Sequence, residues 1–516
     1  MAQRNYERLS AQDQTFLVME SPTVHMHVVS VVVFEAGPLT TADGGINVDR
    51  FKQAIDSVLH LMPRYRQRLE WIPIENRPVW VDDAQFNLDY HIRHSALPNP
   101  GSDEQLKQLA ARISAQQLDR ARPLWEMWVV EGLQGDRFAT ITKIHHCMLD
   151  GVSGMDLAQI LFSPTPEYEI EEAPHYVPHA VPSGWEMLRD SLVRRARLPL
   201  EIIRGVGNFR RETEDLKSDL LARARAIGDL IGYTAVPAAE TPLNGPIGPH
   251  RRLDWLSMPL AHFKALSRQM DCTVNDVVLA TVAGAVREFM LSRRVHPEDI
   301  EFRASAPVSV RRPEERGRLG NRVSSWIVEL PIGEANARKR LEAVKNFTKD
   351  LKTSQQALGV EMMMAVMEWT PTMLMALGMR AAGSASNMIV TNVPGPQQPL
   401  YLLGARLLAI YPVAPLLPNT GVSVGLVSVA GKVCWGFNAD YELVPDLRNF
   451  AKMIEHSFRE LAHAAGIDLA SAPREIRAAE LLQLRSTNGG RNGRRKVPSV
   501  VPAARGTGRG EPARAE

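Results

Sequence analysis

His145-His146-Cys147-Met148-Leu149-Asp150-Gly151 places two imidazoles, a thiol and a carboxylate within seven residues. Three chemistries could use them. A metal site would draw on His145, His146 and Asp150, but adjacent strand residues point to opposite faces, which keeps the two imidazoles from one ion. A Cys147 nucleophile would need a histidine to activate it, and the same neighbour geometry opposes that. A single histidine acting as general base asks least of the geometry. Imidazole has a reference pKa of about 6.5, so it can take and return a proton near neutrality. Asp150 would then hold the turn by a hydrogen bond or an arginine pair, and Gly151 would let substrate approach the backbone. Two histidines at a strand end with no chemistry are the structural alternative.

The elements around the motif favour a functional role. Phe138 to Ile144 is an apolar, β-prone run, and Val152 to Phe162 has helical spacing with small residues at its start. The motif therefore sits where a strand ends and a helix begins, a place where a rigid strand aims side chains into a cleft.

The whole chain bounds the answer. Its 516 residues exceed one core and imply two domains plus a terminal extension. Apolar content of 45% and charged content of 23% are ordinary for a globular protein. A net charge of +2 gives no bulk field for nucleic acid, so none is expected as a partner. Cys147, Cys272 and Cys434 are few and far apart, which argues against a disulfide framework and fits a reducing, cytoplasmic setting. The polar start lacks the apolar core of a signal peptide, and no apolar run reaches the roughly 20 residues of a membrane span. Any membrane contact is expected to be peripheral.

Along the chain, Ser10 reads as the cap of a first helix. His25-Met26-His27 leads into the buried strand Val28 to Phe34; this histidine pair could suggest a metal, but no third ligand is evident from sequence. A helix over 48–61 is followed by short strands at 78–83 and 88–94, a helix over 106–118, and a hairpin of Glu126–Glu131 with the motif strand. Prolines at 164, 166, 174, 178 and 182 open a loop, and a basic, amphipathic tract with Trp185, Leu188, Leu192, Arg189, Arg194, Arg195 and Arg197 follows. That tract is read either as a solvated connector or as a surface for anionic lipid. The second half repeats the alternation: helices at 260–269, 273–291, 335–351 and 447–465, and strands at 302–310, 323–330, 407–413, 422–429 and 432–438. Residues 361–379 hold seven of the 20 methionines, suited to a core helix or an irregular apolar ligand. From about Ser486 the Gly-, Arg- and Pro-rich tail is expected to be disordered. The expected division is 1–163, a helical crossover linker over 164–250, 251–485, and the tail 486–516.

His145-His146-x-x-x-Asp150-Gly151 resembles the motif of CoA-dependent acyltransferases. Leu9-Ser10 with Asp13 and Phe16-Leu17, Arg64 to Leu69, Pro123-Leu124-Trp125-Glu126, Asn275-Asp276, Pro307 to Arg311, and Asn392-Val393-Pro394-Gly395-Pro396 narrow this. Together they resemble the bacterial wax ester synthase/diacylglycerol acyltransferase family from about residue 6 to 470. The chain departs at Ser428-Val429, where family members often carry Ser-Tyr.

The resemblance implies an α/β fold of two chloramphenicol-acetyltransferase-like domains, each a mixed sheet packed with helices, with the active-site channel between them. It implies transfer of a long-chain acyl group from acyl-CoA, a substrate and not a cofactor, to diacylglycerol or a fatty alcohol. His146 would be the base, with His145 supporting the motif from behind and Asp150 as orienter. Gly151, Pro123, Leu124 and Trp125 would line the substrate path, the last three shaping the acyl pocket. Asn275 and Asp276 would lie near the reacting centre, or merely cap their helix. No cofactor or metal is implied. The expected location is cytoplasmic, peripherally on the inner membrane face or on lipid inclusions. A condensation-type transferase using carrier-protein substrates, and a non-catalytic lipid-inclusion protein, are the alternatives. Oligomeric state does not follow from these residues.

Overall fold

His27-Val28-Val29-Ser30-Val31-Val32-Val33-Phe34-Glu35 is too apolar for a strand with one wet face, and it lies at the centre of a sheet covered on both sides. In the computed structural model the described residues are 5–148, 160–193, 237–309, 323–353 and 385–469. The chain separates into two units, Met1–Ala472 and Pro473–Glu516, and every described residue belongs to the first. Asp150, Gly151, the basic tract from 194 onward, the methionine-rich segment 361–379 and the tail lie outside the described residues.

The strands in chain order are β1 (Glu7–Arg8), β2 (His27–Glu35), β3 (Gln67–Ile72), β4 (Arg77–Asp82), β5 (Ile92–Ala96), β6 (Trp125–Leu133) and β7 (Arg137–His145). The second half adds β8 (Arg251–Pro259), β9 (Phe302–Ser309), β10 (Val323–Leu330), β11 (Met388–Pro394), β12 (Tyr401–Leu402), β13 (Ala405–Val413), β14 (Val422–Val429) and β15 (Lys432–Asp440). The α-helices in chain order are α1 (Ala11–Met19), α2 (Val48–Leu59), the single turn α3 (Leu88–His91), α4 (Asp103–Ser114), α5 (Leu260–Gln269), α6 (Val274–Ser292), α7 (Ala337–Thr353) and α8 (Leu447–Ala464). A further helical segment covers 184–193.

Two mixed six-stranded sheets result. The first runs β12-β13-β2-β7-β6-β5 and the second β10-β9-β11-β14-β15-β8, while β1-β4-β3 forms a small third sheet. In the first sheet β5 pairs parallel to β6. In the second, β11 is parallel to both β14 and β9. The expected mixed α/β class is therefore present. The two halves of the sequence do not map one to each sheet, because β12 and β13 come from beyond residue 400 and β13 pairs with β2. Its backbone also presses on the second sheet: a Cβ at Gly436 would stand 1.9 Å from the Pro412 carbonyl oxygen, and one at Gly425 2.8 Å from the same atom. Those glycines are cross-strand partners in β14 and β15. Side-chain-free positions on both strands let the crossing chain approach.

Local signals place most helices. The Ser10 hydroxyl accepts the Asp13 amide at 3.1 Å and caps α1. Ser102 with Gln105 forms a capping box on α4, and Thr273 with Asp276 forms one on α6. One expectation fails at Leu88–His94, read as strand throughout. Asn87 accepts the Asp89 amide, so Leu88–His91 closes a helical turn and the strand begins only at Ile92. The pairing of Gln67–Ile72 with β4 was not expected, although Arg68-Leu69-Glu70-Trp71 alternates polar and apolar residues.

Candidate active site

β7 delivers the motif. His145 is its last residue, and His146–Met148 turns away as one 3-10 turn. Each histidine is pinned through its backbone to a neighbouring segment: the His145 amide donates to the Leu124 carbonyl at 2.9 Å and the His146 amide to Met26 at 2.7 Å. The two rings then part, as adjacent residues leaving a strand must.

The His146 ring stacks on Phe16 of α1, with centroids 3.9 Å apart. Its Nδ1 is buried without a hydrogen-bond partner among the described residues. Burial pushes the imidazole pKa down to about 4. His146 is therefore neutral across the physiological range and can accept a proton.

His145 faces the opposite way, into a buried polar cluster. Its Nδ1 accepts the Cys147 amide at 3.2 Å and lies 2.9 Å from the Cys147 sulfur. Its Nε2 stands 3.6 Å from Glu20 Oε2. His27, the cross-strand partner of His145, brings its Nε2 to 3.2 Å from Glu20 Oε1. Arg120 donates to Glu20 Oε2 through Nε at 3.2 Å and Nη2 at 2.6 Å. The Glu20 side chain is 2% exposed. Burial works against its ionisation, but the contacts with His145 and His27 outweigh it and hold its carboxyl far below the usual range. Burial in turn keeps His27 neutral, its pKa down to about 3.

Glu20, His27 and His145 present donor atoms within 4.8 Å of one another. This grouping differs from the His145, His146, Asp150 set weighed from sequence, and supplies the neighbours His27 lacked there. Cys147 is buried and its thiol is pushed well above its usual pKa, first by burial and then by the carboxylates of Asp13 and Glu20. It stays protonated, which removes the thiolate nucleophile.

Pro123, Leu124 and Trp125 lead into β6, beside the motif strand. Leu124 and Trp125 share an apolar cluster with Cys147, Met148 and Leu161. Trp125 donates its indole N–H to the Tyr65 carbonyl at 2.8 Å and stacks on His91. Asn275 and Asp276 lie in the first turn of α6 and behave differently. Asp276 completes the capping box and accepts the Thr348 hydroxyl at 2.7 Å. Asn275 instead takes a hydrogen bond from Asn392 of β11 at 3.4 Å.

Sequence reading did not find Glu20 or Arg120. Glu20 follows an apolar helix end like any surface acid, and its partners lie up to 125 positions away. Only folding reveals that it is buried.

Known proteins resemble the chain over most of its length. The family model described as "Wax ester synthase/diacylglycerol acyltransferase catalytic domain" matches residues 9–278, and "WS/DGAT C-terminal domain" matches 319–462. The Mycobacterium tuberculosis protein named "Probable diacyglycerol O-acyltransferase tgs1" is 31% identical over 470 residues, covering 88% of this chain and 95% of that protein. "Probable diacyglycerol O-acyltransferase tgs2" of the same organism is 31% identical over 471 residues, covering 88% and 98%. The solved wax ester synthase/diacylglycerol acyltransferase of Marinobacter aquaeolei VT8 superposes with a TM-score of 0.63 at 25% identity, over 89% of this chain and 100% of that one. The first condensation domain of the calcium-dependent antibiotic synthetase shares the fold, with a TM-score of 0.54 at 15% identity over 91% and 98%. The chain belongs to the wax ester synthase/diacylglycerol acyltransferase family.

Proposed function

We infer that this chain is an O-acyltransferase that moves a long-chain acyl group from acyl-CoA to diacylglycerol, a long-chain alcohol, or both, with His146 as general base. The observation that carries the reading is the His146 ring: neutral at physiological pH, stacked under Phe16, with Nδ1 lacking a hydrogen-bond partner among the described residues.

The chemistry follows in two proton movements. His146 takes the proton of the acceptor hydroxyl as its oxygen attacks the thioester carbonyl. The tetrahedral intermediate collapses, the carbon–sulfur bond breaks, and the imidazolium returns the proton to the CoA thiolate. One base serves both half-steps, no acyl-enzyme forms, and no cofactor takes part. A donor to the oxyanion is worth roughly 3 kcal/mol in such reactions. Asn275, oriented by Asn392, is the side chain we assign near the reacting centre. Leu124 and Trp125 form the wall of the acyl pocket. Asp150 is the orienter and Gly151 lines the substrate path in this reading, as their places in the motif imply.

Apolar substrates call for a lipid surface, and we assign this protein to the cytoplasmic face of one, membrane or inclusion, as a peripheral protein. No helix among the described residues is long and apolar enough to cross a membrane. Trp185 is 80% exposed and Leu192, seven residues on, shares its helical face. Ile74 at the β3–β4 turn is 90% exposed, and Arg189, between Trp185 and Leu192 in sequence, is largely exposed. An apolar face flanked by arginine suits an anionic interface.

Purified protein supplied with palmitoyl-CoA and either hexadecanol or a diacylglycerol should release free thiol and form the corresponding ester. A His146→Ala variant that keeps the wild-type rate would refute the base assignment. Ester formation only from a carrier-protein substrate would favour the condensation-type reaction, and lipid binding without turnover would favour a non-catalytic lipid protein.

A further inference from the structure

His146 has little to hold it. Its ring touches Phe16, its backbone amide is tied to Met26, and its Nδ1 makes no hydrogen bond among the described residues. A base must nevertheless be held within a fraction of an ångström of its working position. The orientation has to come from the turn His146–Met148 and from α1, which carries Phe16.

Both trace to one carboxylate. The turn is anchored where the His145 Nδ1 accepts the Cys147 amide at 3.2 Å. An accepting Nδ1 in a neutral ring puts the proton on Nε2. That nitrogen faces Glu20 Oε2 at 3.6 Å, beyond hydrogen-bond reach but close enough for the carboxylate charge to favour a proton there. Glu20 is the residue that ends α1, four positions after Phe16. Arg120 grips the same oxygen and also donates to the Leu17 carbonyl of α1 at 3.1 Å. The other carboxylate oxygen meets His27 Nε2 at 3.2 Å. His25 and Lys143 complete the surroundings, held by the backbone at the end of α4: His25 Nε2 lies 3.1 Å from the Ala115 carbonyl, and Lys143 donates to Ile113 and Gln116 while pairing with Glu126.

We propose that Glu20 is a positioning residue for His146: held by Arg120, its carboxylate fixes His145 as the Nε2–H tautomer and locks α1 against the turn that presents the base. Without Glu20 no carboxylate charge faces the His145 Nε2 and favours the proton there, the ring is freer to move its proton to Nδ1, and the Cys147 amide loses its anchor. Phe16 loses its register over His146 at the same time. The same three groups lie close enough together to surround a cation, but the Arg120 guanidinium already places a positive charge on Glu20 and opposes a second one. The proposal rests on the reading of His146 as base.

The test compares wild type with Glu20→Ala and Glu20→Gln. Nitrogen NMR of histidine-labelled protein, with the His145 signals assigned by its loss in His145→Asn, reads the tautomer without turnover. Nε2–H is expected in the wild type and in Glu20→Gln, whose amide oxygen still accepts from Arg120 and His145. Glu20→Ala should show a mixture. Its kcat should fall on the order of 10- to 100-fold, as for other outer-shell partners, while KM for both substrates stays within about twofold and Glu20→Gln recovers most of the rate. An Nδ1–H ring in the wild type, an unchanged kcat in Glu20→Ala, or a stoichiometric transition metal in the purified protein would overturn the proposal. If Glu20→Ala does not fold, the wild-type tautomer and the Glu20→Gln rate decide. An active His146→Ala would instead overturn the base assignment and leave the tautomer result standing.

Discussion

Phe16 lies flat on His146, the rings 3.9 Å apart and 24° from parallel. The helix that supplies this lid starts at a Ser10 cap and ends at Glu20, so its short length is fixed at both ends. The stack excludes water from one imidazole face and sets the plane of the ring. Phe16→Ala should lower kcat/KM on the order of 10- to 100-fold through lost orientation. It should also raise the His146 pKa towards its ordinary value, because the imidazolium regains water. Phe16→Tyr should stay close to wild type. Steady-state rates of the three proteins across pH check both points.

The acid limb of activity should lie unusually low. Burial holds His146 at about 4, so the ring is already neutral at pH 5.5. The kcat/KM profile is expected to be flat from about pH 5.5 to 8 and to fall only below that range. A limb near 6.5 would mean that the free enzyme's base is solvated like an ordinary histidine.

Stability should show the opposite face of the same burial. His27, His91 and His146 are held at about 3, 4 and 4, all below the usual 6.5, chiefly by desolvation. The unfolded chain takes up protons below pH 6.5 where the folded one does not. Their contribution is therefore fully present above that pH and is lost as pH falls, at up to ~1.4 kcal/mol per pH unit for each histidine. Glu20, its folded pKa depressed, adds a loss of the same sign below about 4.5. Urea midpoints measured at pH 7.5, 6 and 5 should decline in that order. Equal midpoints would show that these rings protonate inside the fold.

Gly436→Ala should be among the most damaging single methyl additions in the chain. The new carbon would meet backbone, the Pro412 carbonyl, at 1.9 Å, and no side chain can swing aside to relieve it. A loss of about 3 kcal/mol or more is expected, beyond the usual overpacking range. Gly37→Ala, with nothing within 4 Å of the added carbon, is the matched control. Thermal melts of the two variants give the comparison.

Much of this was legible in the chain. Valine-rich β2, the capped α1 and α6, and the strand that delivers His146 follow from local rules that the fold obeys. The separation of His145 from His146 follows from strand geometry alone. Long-range partners do not. Nothing near Glu20 in sequence marks it as buried, since its environment is assembled from Arg120, His27 and His145. The Leu88–His91 turn was missed because Asn87 overrides a β-prone run through one side-chain bond. The place of β13 in the first sheet was equally hidden, for its apolar pattern suits either sheet.

That last strand also dictates when the protein can finish folding. During synthesis the ribosome releases β2, β7, β6 and β5 long before residue 405, so β2 must wait with an open edge for its neighbour β13. An unpaired Val-Val-Ser-Val-Val-Val edge is an invitation to pair with another chain. Expression of residues 1–250 alone is therefore expected to yield aggregate, and supplying residues 251–516 in trans to rescue it, because the first sheet acquires its sixth and fifth strands only from the end of the message.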